Sequence, residues 1–116
     1  MVDVMIRGDE RFYCVLGPVF GSRQIEKITH DRFYDDDGKI WYVIEGKGAA
    51  SVLGKTIKNF WAEDDGCAEE ILTFMKTRHE NLNGIVPRVY QAEFERAGFC
   101  VQDFKRNFVE VFYEKN

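Results

Sequence analysis

Over residues 57–62 the chain alternates and carries two aromatics, while Ala68, Ile71, Leu72 and Met75 recur at i, i+3, i+4 and i+7. The change of period inside residues 63–66 predicts a strand, a sharp turn and an amphipathic helix in immediate succession. Asp64 or Asp65 can cap that helix, Glu69 and Glu70 stand in its first turn, and Lys76, Arg78 and His79 in its last. Each sign matches the helix dipole. A strand that turns directly into a helix leaves backbone N–H groups pointing outward, a site that an anion such as a phosphate can use. Many α/β units make the same turn and bind nothing.

The flanking patterns are shorter. Val2, Val4 and Ile6 alternate with Asp3, Met5 and Arg7 and predict a first strand ended by Gly8. Phe12, Val15, Leu16 and Val19 have helical spacing that Gly17, Pro18 and Gly21 break, and Ser22 can cap a second short helix through His30. Residues 35–38 read as a turn, 40–45 as a strand, 46–48 as a hairpin connection and 49–53 as the partner strand. Beyond the long helix, residues 82–84 supply a stop and 85–89 a strand that contains Pro87. Tyr90, Phe94 and Ala97 mark one face of a short helix, and Gly98 with Phe99 fits a left-handed C-terminal cap with its hydrophobic contact. Residues 100–105 and 108–113 form two strands joined tightly at Arg106 and Asn107. The expected order is β, α, α, β, β, β, α, β, α, β, β, in one domain over residues 1–116.

Composition narrows the function classes. With 16 basic and 20 acidic side chains the net charge is −4, and the basic residues are dispersed, so the electrostatic footprint of a nucleic-acid binder is missing. Three well-separated cysteines, Cys14, Cys67 and Cys100, fit reduced thiols in a cytoplasmic setting and supply no zinc ligand set. No apolar run reaches the roughly 18 residues of a membrane span, and residues 1–7 are too short and too acidic for a signal peptide. Aromatics at 15% are enough to fill a small core and still leave some for a cleft or an interface.

The succession of elements resembles the GCN5-related N-acetyltransferase superfamily. Local matches are Met5-Ile6-Arg7 as the opening strand, the hairpin IEGKGAASVLG over residues 44–54, and FERAGF over residues 94–99, which is similar to the ending of that family's last helix. The resemblance implies an α+β (α/β) fold of the acyl-CoA N-acyltransferase type: a mixed, mostly antiparallel sheet flanked by helices on both faces, splayed open where acetyl-CoA lies. It also implies that Glu63-Asp64-Asp65-Gly66-Cys67-Ala68 occupies the place of the family's turn motif, whose amides cradle the pyrophosphate. Trp61, Ala62, Gly66, Cys67 and Ala68 are thereby the candidate cofactor-binding residues. Gly66 and Ala68 fit the motif and Glu63 does not. A pyrophosphate there would meet Glu63, Asp64, Asp65, Glu69 and Glu70, with Lys58 and Lys76 as the nearest cations along the chain. Where the family commonly has a tyrosine that protonates the leaving thiolate, this chain has Phe94. Tyr90, one turn earlier, is the candidate substitute, set against the commoner reading of a core tyrosine.

Glu63 and Glu45 stand at strand ends, where a carboxylate could take a proton from an amine, although exposed carboxylates at such positions are common. Cys67 at a helix start is read as inert because the neighbouring carboxylates oppose a thiolate. His30 and His79 read as surface or capping histidines, and Asp31, Asp35, Asp36 and Asp37 as a solvated acidic turn. The four aromatics Phe104, Phe108, Phe112 and Tyr113 on the last hairpin point to a homodimer. Two functions follow from the resemblance: an N-acetyltransferase that moves acetyl from acetyl-CoA to a primary amine, or a degenerate member of the kind tailed phages also encode. The latter would serve as an interaction or structural component, in the cytoplasm or on a virion.

Overall fold

A computed structural model describes residues 1–115. The strands are β1 (Asp3–Ile6), β2 (Ile40–Ile44), β3 (Gly48–Leu53), β4 (Thr56–Ala62), β5 (Asn81–Pro87), β6 (Cys100–Lys105) and β7 (Phe108–Glu114). The helices are α1 (Phe12–Phe20), α2 (Arg23–Thr29), α3 (Asp65–Arg78) and α4 (Gln91–Arg96), with a 3-10 turn at Arg88–Tyr90. All seven strands share one open sheet in the order β1-β2-β3-β4-β5-β7-β6. Every neighbouring pair is antiparallel except β4 with β5.

The pleat sends successive side chains of β2 to opposite faces, and a separate core forms on each. On one face Tyr42 joins Ala68, Ile71, Leu72 and Met75 of α3 and Phe94 of α4. On the other, Trp41 and Val43 pack with Phe12, Val15, Leu16 and Val19 of α1 and Ile25 of α2. Helices thus cover both faces. Ile71, Leu72 and Met75 are fully buried, each contributing about 1.5–3 kcal/mol. A bulge between the pairs Ser51↔Asn59 and Val52↔Ile57 skips Lys58, which lets Ile57 and Phe60 both reach the first core.

β4 and β5 pair only at Thr56↔Asn83 and Ile57↔Gly84, although both strands run on. The sheet therefore opens beyond that vertex. Gly84 is what allows the two backbones to meet, since a Cβ there would lie 2.6 Å from the carbonyl oxygen of Ile57.

Local capping follows the sequence closely. Ser22 Oγ accepts from Ile25 N–H at 3.1 Å, and Asp64 Oδ1 accepts from Cys67 N–H at 2.9 Å. Gly98 has φ +92°, Phe99 N–H donates to Phe94 O and Gly98 N–H to Glu95 O, and the Phe94 and Phe99 rings meet at 5.0 Å. That is the Schellman cap with its apolar contact.

Three expectations are corrected. Helix α1 runs through Gly17 and Pro18 to Phe20, because the carbonyl that Pro18 forgoes belongs to exposed Cys14. β5 starts at Asn81 rather than 85, so residues 82–84 are strand instead of a stop; α3 has already ended at His79, whose N–H donates to Met75 O. Tyr90 closes the 3-10 turn ahead of α4 and so stands outside the helix, though it still shares the core face with Phe94, both rings packing on Phe60.

Candidate functional site

The open end of the β4–β5 gap is a cleft of about 520 Å³. Trp61 and Ala62 of β4, Val89 and Tyr90 of the 3-10 turn, and Glu63, Asp64 and Asp65 of the acidic turn line it, and Ile25 and Ile28 of α2 form a further wall. The structure therefore does bring Tyr90, Glu63, Trp61 and Ala62 together.

What Tyr90 does there differs from the expected acid role. Glu63 N–H donates to Lys47 O on the β3 side at 2.7 Å, so the adjacent Ala62 turns its own N–H and C=O to the opposite edge, into the gap. Both groups end on one phenol: Ala62 N–H donates to Tyr90 Oη at 3.1 Å, and Tyr90 O–H donates to Ala62 O at 3.0 Å. The ring is buried, 5.2 Å from Phe60, which in turn lies 4.9 Å from Phe94. Burial pushes the Tyr90 phenol up, against the Ala62 hydrogen bond, and the Glu93 charge adds to the rise. Tyr90 here is a latch across the sheet.

The turn is likewise occupied by the chain itself. Asp64 takes the Cys67 N–H on Oδ1, and Ala68 N–H donates to Asp64 O in the helix ladder. The Cys67 N–H, then the Cys67 side chain, hold the exposed Asp64 carboxyl below the usual carboxylate range, with further contributions from the Lys47 charge and the Gly66 amide. The turn therefore already holds an anion of its own. Gly66 has no steric reason to be glycine within this fold, as its missing Cβ would make an ordinary 3.5 Å contact with Asp64. Burial, then the Asp64 hydrogen bond and charge, push the Cys67 thiol up, which agrees with an inert cysteine. Glu63, Asp64 and Cys67 place one ligand atom each within 4.8 Å of one another. Asp64 is already engaged by the Cys67 N–H, and exposed acidic groups of this kind are common without an ion.

Glu63 is exposed at the mouth of the cleft. Glu45 is taken up by Arg11, whose Nη2 donates to Oε1 at 2.9 Å. Neither Lys58 nor Lys76 serves the turn: Lys58 is exposed at the bulge, and Lys76 Nζ donates to Ala97 O at 2.7 Å. Lys47 of the β2–β3 hairpin is close enough for its charge to lower both Asp64 and Cys67. Sequence reasoning missed it because hairpin tip and turn are joined only by strand register. It also missed Glu93, a buried carboxylate on the cleft wall, 3.7 Å from Arg96, which lies 3.8 Å from Asp65.

Away from the cleft, His30 and His79 do cap helices. The acidic turn at 31–37 is held by polar contacts at Asp31 and Asp35, while Asp36 and Asp37 stay open to solvent as expected. Asp35 Oδ2 accepts from Arg7 Nε at 2.6 Å and Tyr13 O–H at 3.1 Å, Asp36 pairs with buried Lys39, and Asp31 accepts from Asn59. No helix among the described residues is long and apolar enough to cross a membrane. Compared with family models, curated proteins and solved structures, the chain matches none.

Proposed function

We propose that this chain is a catalytically degenerate relative of the GCN5-related N-acetyltransferases, one that keeps a splayed sheet but does not use acetyl-CoA, and that it acts as an interaction module. The observation that carries this reading is the Tyr90 latch: the polar edge of Ala62, which an acyl-CoA arm lying in the gap would have to pair with, is already satisfied by a buried phenol. Self-capping of the turn by Asp64 supports it, because a pyrophosphate would have to displace one carboxylate in the presence of several others. The setting we propose is the cytoplasm, or a virion where the chain is phage-encoded.

A second reading, an N-acetyltransferase that takes acetyl-CoA and a primary amine, is favoured by one observation. Parallel pairing stops at Ile57↔Gly84 and leaves a cleft with Lys47 nearby to offset phosphate charge. In that reading Trp61, Ala62 and the amides of Gly66, Cys67 and Ala68 hold the cofactor, Tyr90 swings out to protonate the thiolate, and Glu63 takes the amine proton. Following free-thiol release from acetyl-CoA with a panel of primary amines separates the two. The expected result is no release above the protein-free rate; amine-dependent release that Tyr90→Phe abolishes would establish the transferase instead.

A further inference from the structure

The charge reverses on the face of α2 turned away from the cleft. Ile25 and Ile28 line the cleft, whereas Arg23 and Lys27, one turn apart, line a groove of about 830 Å³ together with His30 and Arg32. His30 also lines an adjoining hollow, where Ile28 and Val89 are 42% and 58% exposed and Arg106 stands at the rim. Among the described residues Arg23, Lys27, Arg32 and Arg106 form no ion pair, while Arg7, Arg11, Arg88 and Arg96 each have a carboxylate partner. Lys47, Lys55, Lys58, Lys76, Arg78 and Lys105 are likewise, among the described residues, without an ion pair elsewhere on the chain; what marks this surface, in a chain of net charge −4, is that four such cations border one apolar step.

We propose that this surface, running from Arg23, Lys27 and Arg32 over Ile28 and Val89, at the edge shared with the cleft, to Arg106, docks an acidic segment of a partner protein that also carries apolar side chains. The inference rests on the non-catalytic reading above and names the partner's chemistry. Charge complementarity selects an anionic partner and steers its approach. A polypeptide fits better than a nucleic acid, because Glu26 and Asp31 interrupt the cations within the same groove and would repel a backbone that carries a charge at every step. Spaced Asp or Glu side chains can meet the cations and avoid the acids, and Ile28 with Val89 gives apolar side chains a place that a simple anion would not use.

The test uses two fluorophore-labelled peptides, one alternating Glu and Leu and one alternating Lys and Leu, titrated by anisotropy with the whole protein. The Glu/Leu peptide is expected to bind and to weaken by about tenfold or more between low and high salt. It is also expected to weaken by about tenfold or more on Arg23→Glu with Lys27→Glu, or on Arg32→Glu alone. These positions are exposed and unpaired, so the midpoint of thermal unfolding should be unchanged. The Lys/Leu peptide should not bind. Equal binding of both peptides, indifference to both charge reversals, tighter binding of a single-stranded oligothymidine, or no Glu/Leu binding at millimolar peptide would each overturn the proposal. Acetyl-CoA is titrated in parallel; if it binds, the non-catalytic reading fails by itself while the peptide result stands on its own arms.

Discussion

The phenol of Tyr90 takes the place that a neighbouring strand would hold in a continuous sheet. Tyr90→Phe keeps the ring against Phe60 but leaves two backbone groups of Ala62 without their partner, so a loss of about 1–3 kcal/mol is expected, read from chemical denaturation. No loss would mean that Ala62 finds another partner and that the gap is not latched. A second residue-scale expectation concerns His79, whose Nε2 lies 2.7 Å from the Tyr42 hydroxyl. Burial, then the neighbouring Arg78 charge, lower its pKa, so the folded chain binds fewer protons than the unfolded one below the ordinary histidine value. Stability should hold above about pH 6.5 and fall as pH drops from there toward the lowered folded value. His79→Gln should flatten that slope, and an unaltered slope would assign it to other groups. Tyr90 was visible in the sequence as an aromatic near the last helix, but its partner was not. Which edge Ala62 presents depends on its register with Gly48 across the hairpin.

At the scale of elements, α3 was legible to its cap because capping is local: Asp64 and the apolar spacing lie within a few residues of one another, although Asp65, not Glu69 or Glu70, stands in the first turn. Asp64→Ala should lower the thermal midpoint by removing the Cys67 N–H partner, whereas Asp64→Asn keeps a capping oxygen and should lose less. Equal losses would show that charge, not capping, is what Asp64 supplies. The start of β5 was not legible. Asn81, Asn83 and Gly84 have turn chemistry, and only the approach of Ile57 explains why a glycine sits in a strand. Gly84→Ala tests that directly: the added Cβ meets backbone, so the vertex must spread and stability should fall by about 1–3 kcal/mol or more. A neutral result would show that β4 and β5 are not held at this point. Pro18 misled for the converse reason, since it sits on the α1 register of exposed Cys14, where a forgone helix bond costs less than it would in the core.

For the whole molecule, the second core contains, among the described residues, none beyond Trp61, so no described helix covers that face of β5, β7 and β6, where Ile85 and Phe112 are 39% and 40% exposed. A homodimer that buries this face is the expected state, with the sheet edge itself guarded by the bulge between Asp103 and Lys105. Tyr113 is already engaged, its ring 5.2 Å from Phe99, so the sequence-level grouping of four aromatics divides into packed and available members. Light scattering at tens of micromolar checks this, and a monomeric mass there would contradict it. Whether Tyr90 and Asp64 keep acetyl-CoA out of the gap is read by titrating ¹⁵N-labelled protein with acetyl-CoA to millimolar concentration, with unfolding followed in parallel. The expected result is that the amides of Ala62, Gly66 and Cys67 keep their positions and the unfolding midpoint stays flat. Saturable shifts of those three amides with a rising midpoint, reaching about 2.7 kcal/mol of added stability at about 100 times the dissociation constant, would contradict the account.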